Sequence, residues 1–159
     1  MFHKSKLFRL IGLYPPYLGA GIRVTHVARD LRAIDVQMRL TWWNRNYVGT
    51  HFGGSLYSMI DPFYMLMLME NLGRDYIVWD KSASIRFKRP GRGKVFARFR
   101  LSGEQIDAVR SAVERDGRAT PSFGVDITDA QGEVVAQVDK VLSVRRKRDR
   151  RRPNDGVAG

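Results

Sequence analysis

The chain of 159 residues contains no cysteine. That excludes disulfides, a thiol nucleophile and any cysteine-held metal, and it suits a reducing cytoplasm. Acidic residues are scarce: 16 Asp and Glu stand against 28 Lys and Arg, giving a formal net charge of +12. No apolar run is long enough for a transmembrane helix, because the longest, residues 56–69, is short and interrupted by Asp61 and Pro62. The N-terminal MFHKSKLFRLIGLYPP does not read as a secretion signal: Arg9 interrupts its apolar stretch, two prolines end it, and no cleavage site follows. Histidine is rare too, with three in the chain, and the sequence near His51 offers too few further ligands for a metal site.

What remains is an ordinary globular composition. Hydrophobic residues make up 43 % of a chain whose length suits one domain with a real core. The positive charge is uneven. RRKRDRRR, residues 145–152, has seven basic residues and one acidic one, and PNDGVAG follows it. Residues 145–159 therefore read as a basic disordered tail on a single domain of residues 1–144. The rest of the charge gives a moderately basic body suited to an anionic ligand. Because half of the charge sits in the tail and the body has no recognition motif, a specific nucleic-acid role ranks last.

Hydrophobic periodicity lays out the elements. Residues 2–13 fit a short amphipathic helix that stops before Pro15-Pro16, and Gly19 and Gly21 mark a turn. Ile34, Val36, Met38 and Leu40 alternate with polar residues, as in a half-buried strand, and residues 22–29 form the strand before it. From about Ser55 to Leu72 the spacing becomes helical: Leu56, Ile60, Phe63 and Met67 share one side, with Tyr57, Tyr64 and Leu68 beside them. An apolar surface that wide predicts a helix enclosed on most sides. Strand patterns return at 82–88, 95–101, 123–127 and 134–144, with a short surface helix over 103–116. This order predicts an α+β protein in which one antiparallel sheet wraps one long helix. Such a sheet has exposed edges, which a second copy would cover.

One segment carries candidate chemistry: NYVGTHFGGSLYSMIDPF, residues 46–63. Asn46, residues 49–51, Gly53-Gly54 and Asp61 resemble the motif of acyl-CoA thioesterases of the phenylacetic-acid-degradation type in the hotdog-fold superfamily. In that motif an Asn precedes a His-Gly-Gly turn and an acid follows seven residues after the second Gly, the spacing from Gly54 to Asp61. YPPYLGAGIRV and KSASIRFKRPGRG, with the same segment, are similar to an uncharacterised bacterial branch of hotdog proteins labelled tetrameric acyl-CoA thioesterases. The resemblance covers roughly residues 21–145. Two departures stand out: Phe52 separates His51 from Gly53, and Pro62 follows Asp61.

The resemblance implies hydrolysis of an acyl-CoA, with Asp61 as general base or nucleophile, His51 and Asn46 assisting, and coenzyme A entering only as part of the substrate. Thioester hydrolysis needs an activated water or a direct nucleophile, together with stabilisation of the developing oxyanion. A carboxylate supplies the first, and bare amides at Gly53 and Gly54 supply the second. Asp61-Pro62 also reads as a helix N-cap followed by Pro at the first helical position. His51 and Asn46 equally suit a self-bonded loop. Tyr57 is placed with the substrate. Lys88 and Arg89, with Arg92 and Lys94, flank a turn that the resemblance puts near the nucleotide end of coenzyme A, where phosphates need cations. Trp42, Trp43, Phe63 and Tyr64 are candidate walls for an acyl tunnel, and the methionines of 59–69 suit a flexible medium or long acyl chain. The alternative is a non-catalytic binder of acyl-CoA or lipid in the same groove. Homodimer and dimer of dimers both remain open.

Overall fold

A computed structural model of the protein describes residues 10–147. A 3-10 turn at Leu10–Leu13 leads into helix α1, Pro15–Ala20. The predicted helix over 2–13 is not what the described part shows; residues 2–9 lie outside it. The helix begins at the prolines instead. Proline occupies its first turn, where a missing N–H costs nothing and φ is already helical.

Strands β1 (Ile22–Val27) and β2 (Ala33–Arg39) form an antiparallel hairpin. The central helical segment follows as two pieces, α2 (Gly53–Ser58) and α3 (Phe63–Leu72). Then come β3 (Tyr76–Phe87), β4 (Lys94–Arg100), α4 (Gly103–Asp116), the short β5 (Arg118–Ala119), β6 (Ser122–Asp129) and β7 (Val134–Arg146). The sheet runs β1-β2-β4-β6-β7-β3, with β5 on β7, and every pairing is antiparallel. Strand β7 continues through Arg145 and Arg146, which pair with Ile77 and Tyr76, so the sheet claims the start of the predicted tail. Residues 148–159 lie outside the description.

The sheet curls around α3. Phe63, Met67 and Leu68 are fully buried, each contributing roughly 1.5–3 kcal/mol by leaving water. Phe63 meets Phe99 of β4 at 4.9 Å between ring centroids, and Tyr64 stacks on Phe123 of β6 at 4.8 Å. These two rings are core rather than tunnel wall. Trp42 and Trp43 are exposed and line a surface groove of about 480 Å³ with Arg23, Arg39 and Lys94. Helix α4 starts with a full capping box: the Gln105 backbone N–H donates to Ser102 Oγ, and the Ser102 backbone N–H donates to Gln105 Oε1.

The split in the central helix fixes the site. Asp61 N–H closes α2 by bonding Tyr57 O at 3.2 Å, and Leu66 N–H opens α3 by bonding Pro62 O at 2.9 Å. Proline has no N–H to carry the ladder through, so the helix restarts there. Pro62 occupies the N-cap position of α3, and no side chain caps that end. Asp61 is therefore not a helix cap, and its carboxylate is free to bond elsewhere.

Candidate active site

Asp61 sits at this break with its side chain half exposed. Its Oδ1 accepts from the Tyr57 hydroxyl at 3.0 Å, one helical turn back, and from Lys140 Nζ, also at 3.0 Å. Lys140 also meets Asp80 Oδ1 at 2.9 Å and the Tyr57 hydroxyl at 3.4 Å. Lys140 is fully buried, on the inner face of β7 in line with Val138, Leu142 and Val144. An ammonium there is tolerable only because oxygens surround it. Burial alone would lower its pKa, but the bonds and charges of Asp80 and Asp61 outweigh that and raise it. Burial pushes the Tyr57 hydroxyl up, against the pull of Lys140 and with added help from Asp61. Tyr17 of α1 is close enough to feel the charge of Asp61; burial first, then that charge, raises its hydroxyl, which is buried without a hydrogen-bond partner.

A β-bulge brings Asp80 to this cluster. In the β3–β7 pairing Asp80 faces Leu142 and Ser82 faces Val141, so Lys81 is the extra residue. The bulge keeps Asp80 on the same face as Ala83, which pairs with Lys140, although the two are an odd number of residues apart.

The loop before α2 is built differently. Asn46 Oδ1 accepts from the amides of Val48 and Thr50, and its Nδ2 donates to Thr50 Oγ1 and His51 O. Its carboxamide is used up inside the loop. His51 is buried; Nε2 lies 3.0 Å from Gly93 O, and Nδ1 has no partner. Burial lowers its pKa, with the Gly93 contact opposing, so the neutral ring is favoured. Asn46 and His51 border a cavity of about 400 Å³ with Gly53, Phe87, Lys88 and Arg89. Arg89 is already paired with Glu133 at 2.8 Å, whereas Lys88 has no acidic partner among the described residues.

The sequence-predicted residues thus fall into two groups. Asn46, His51, Gly53, Lys88 and Arg89 share the cavity, while Tyr57 joins Asp61 rather than lining it. Gly54 lies in a neighbouring groove with Trp43, Phe52 and Ser58. Space is tight at both glycines: a Cβ on Gly53 would stand 3.1 Å from the Phe87 ring, and one on Gly54 2.5 Å from the Phe52 ring, so an added side chain would displace these exposed rings. Their amides are left over at the helix start, because Ser55 and Leu56 are the first to bond Phe52 O. Lys140 and Asp80 were not singled out by sequence reasoning. The available signal was a lysine at an inward position of the alternating VAQVDKVLSV. Among the described residues no group of three His, Asp or Glu could hold a metal ion, and no helix is long and apolar enough to cross a membrane.

A curled antiparallel sheet around a central helical segment is the hotdog fold. Solved structures share it. A protein of unknown function and probable thioesterase from Pseudomonas aeruginosa superposes with TM-score 0.80 at 23 % identity, covering 90 % of this chain and 96 % of that one. A protein of unknown function from Chlorobaculum tepidum gives 0.72 at 15 % identity, covering 91 % and 95 %. A thioesterase from Haemophilus influenzae gives 0.67 at 15 % identity, covering 96 % and 97 %. The chain belongs to the family DUF4442, a domain of unknown function, whose profile matches residues 4–144. Comparison with curated proteins gives no match.

Proposed function

We propose that the protein hydrolyses acyl-coenzyme A thioesters, with Asp61 as general base. The observation that carries this is the state of the Asp61 carboxylate. It is held by one oxygen and half exposed, and its Oδ2 has no partner among the described residues. A water on Oδ2 would lose its proton to the carboxylate as its oxygen bonds the carbonyl carbon. The carbonyl oxygen would take the charge against the amides of Gly53 or Gly54. The C–S bond would then break, and the thiolate would recover the proton from Asp61. Direct attack by the carboxylate through an anhydride is the variant of the same site. The spacing from Gly54 to Asp61 supports the phenylacetic-acid-degradation type of hotdog chemistry, and a thioesterase among the solved structures of the same fold supports thioester hydrolysis in general.

Within one chain the two halves of this site lie at opposite ends of α2. Seven residues at about 1.5 Å each put Asp61 on the order of 10 Å from the Gly54 amide, too far to act on one carbonyl. A second copy would close the gap. Strand β3 is one of the two edges of the sheet, the other being β1; it is twelve residues long, with Trp79 and Phe87 exposed. Edge pairing there, in a homodimer or dimer of dimers, fits both the missing half and the unprotected strand. Lys88 is the cation best placed for substrate phosphates, with Arg89 after release from Glu133. Coenzyme A is substrate only, the acyl chain is medium or long, and the compartment is the cytoplasm.

The test is steady-state cleavage of a panel of acyl-CoAs by wild type and Asp61→Asn. Turnover should fall at least about 100-fold in the variant. Unchanged turnover would remove Asp61 from the chemistry. Binding of acyl-CoA without cleavage by the wild type would favour the second reading, a non-catalytic acyl-CoA or lipid binder. The closed loop around Asn46 and the buried His51 point that way, since neither side chain offers a free hydrogen-bonding group to solvent.

A further inference from the structure

Lys140 stands apart from the other cations among the described residues. It is a fully buried lysine, on the inner face of a strand that is otherwise aliphatic there, and its ammonium spans two carboxylates from different elements. The junction at the Asp61 end of α2 could have been filled by an aliphatic side chain at lower desolvation cost. A charge in that place therefore calls for a use beyond packing.

We propose that Lys140 is the positioning residue of the site and Asp80 its counterweight: the ammonium clamps Asp61 by Oδ1, turns Oδ2 outward, and is shared with Asp80 so that Asp61 is only partly neutralised. This inference rests on the thioesterase reading of Asp61. The groups facing Asp61 are the Tyr57 hydroxyl from α2, the Tyr17 hydroxyl from α1, Lys140 from β7 and, behind the lysine, Asp80 from β3. With both phenols neutral, two carboxylates and one ammonium leave the cluster one negative charge. Lys140 stabilises ionised Asp61, and Asp80 opposes that by drawing the ammonium towards itself and repelling a second negative charge. A base needs both effects. Without the lysine the carboxylate is held by the Tyr57 hydroxyl alone; without Asp80 the ammonium is left wholly to Asp61. Lys140 itself has no solvent access and touches no substrate, so it acts through Asp61.

Two substitutions pull the site in opposite directions. Lys140→Met keeps the length of the side chain without the charge, and the carboxylates it abandons remain partly hydrated, with side chains 50 % and 31 % exposed. The midpoint for protonating Asp61 should rise relative to the wild type. Asp80→Asn leaves the lysine wholly to Asp61, and the midpoint should fall. The reading is carbon-13 NMR of carboxyl-labelled aspartate in the full chain, with Asp61 assigned by its loss in Asp61→Asn, together with the acid limb of kcat/KM against pH. Opposite displacement in the two variants, with KM changed less than threefold and kcat down at least about tenfold in Lys140→Met, supports the proposal. Midpoints that stay put, or move the same way, overturn it. If Lys140→Met fails to fold, Asp80→Asn still decides: a lower midpoint with kcat reduced and KM held supports the proposal, and kcat left at the wild-type value overturns it. If no acyl-CoA is cleaved by the wild type, the functional reading fails, and the NMR midpoints still judge the clamp on their own.

Discussion

The loop over residues 46–51 and the helix break at Asp61 lie at the two ends of the same helix, α2, and use polar groups in opposite ways. In the loop the Asn46 carboxamide satisfies four groups of its own segment, and His51 is buried against Gly93 O. The one side-chain atom left over is His51 Nδ1, which is buried away from solvent. At the break, Asp61 commits one oxygen and keeps the other, while half of its side chain faces solvent. A polar group that has consumed its bonding capacity stabilises the fold; one that keeps some in reserve can act on a ligand. The two regions teach that the motif's residues divide between these tasks, although the sequence spaces them as one unit.

The most damaging way to break the comparison is to strip both carboxylates from Lys140. Asp61→Asn/Asp80→Asn leaves a buried ammonium with neutral partners, which should cost about 3–5 kcal/mol in denaturant unfolding. The pH dependence should also reverse. In the wild type the lysine's pKa is raised, so its contribution is complete below the unfolded value of about 10.4 and disappears as pH climbs through the folded value. In the double variant the folded pKa should drop below the unfolded one, so stability should rise with pH up to about 10.4. Each single variant keeps one carboxylate on the lysine and should lose far less.

Asn46→Ala comes next. It orphans the amides of Val48 and Thr50, which should cost about 1–3 kcal/mol in thermal or denaturant unfolding. The folded fraction should keep its kcat. A loss of kcat of tenfold or more at full folding would move Asn46 from the scaffold to the chemistry and erase the contrast between the two regions.

Much of the fold was legible because its signals are local. Strands β2 and β4 alternate cleanly, and the wide apolar surface over Leu56, Ile60, Phe63 and Met67 is buried as its spacing requires. Asp61 was legible as an anomaly, a carboxylate amid apolar residues. Its partners were not. Lys140 lies 79 residues further on, and a lysine in a strand reads as solvated until something shows that its position faces inward. Asp80 is hidden by the bulge at Lys81, which reverses the inside–outside parity on which period-two reading depends. The helix at Pro15–Ala20 was missed because Pro15-Pro16 reads as a stop from the N-terminal side and a start from the other. Whether a polar side chain bonds itself or its surroundings, the point that separates Asn46 from Asp61, depends on three-dimensional neighbours that spacing does not encode.

His51 offers a gentler test. Burial holds its folded pKa below the ordinary value of about 6.5. The unfolded chain therefore takes up the proton first. The stability linked to the neutral ring should be complete above about pH 6.5 and fall as pH drops towards the folded value, no more steeply than about 1.4 kcal/mol per pH unit for one proton. In His51→Gln this part of the acid limb should vanish from a thermal-unfolding series between pH 7.5 and 5. An unchanged limb would mean that the ring is reached by solvent, and the loop would no longer be the closed region of the pair.

The smallest expected effect belongs to Tyr57→Phe, and it reports on the open region. Its hydroxyl donates to the same Asp61 oxygen that Lys140 holds, so the carboxylate loses one of two donors and keeps the charged one. Because Asp61 is half exposed, water replaces the missing bond, and unfolding should shift by only about 0.5–1.5 kcal/mol. On turnover the balance is closer still: a carboxylate with one donor fewer is a slightly stronger base but less firmly held, so kcat should stay within about fivefold of wild type. A loss near that of Asp61→Asn would mean that the phenol, rather than the free oxygen of Asp61, meets the reacting atoms.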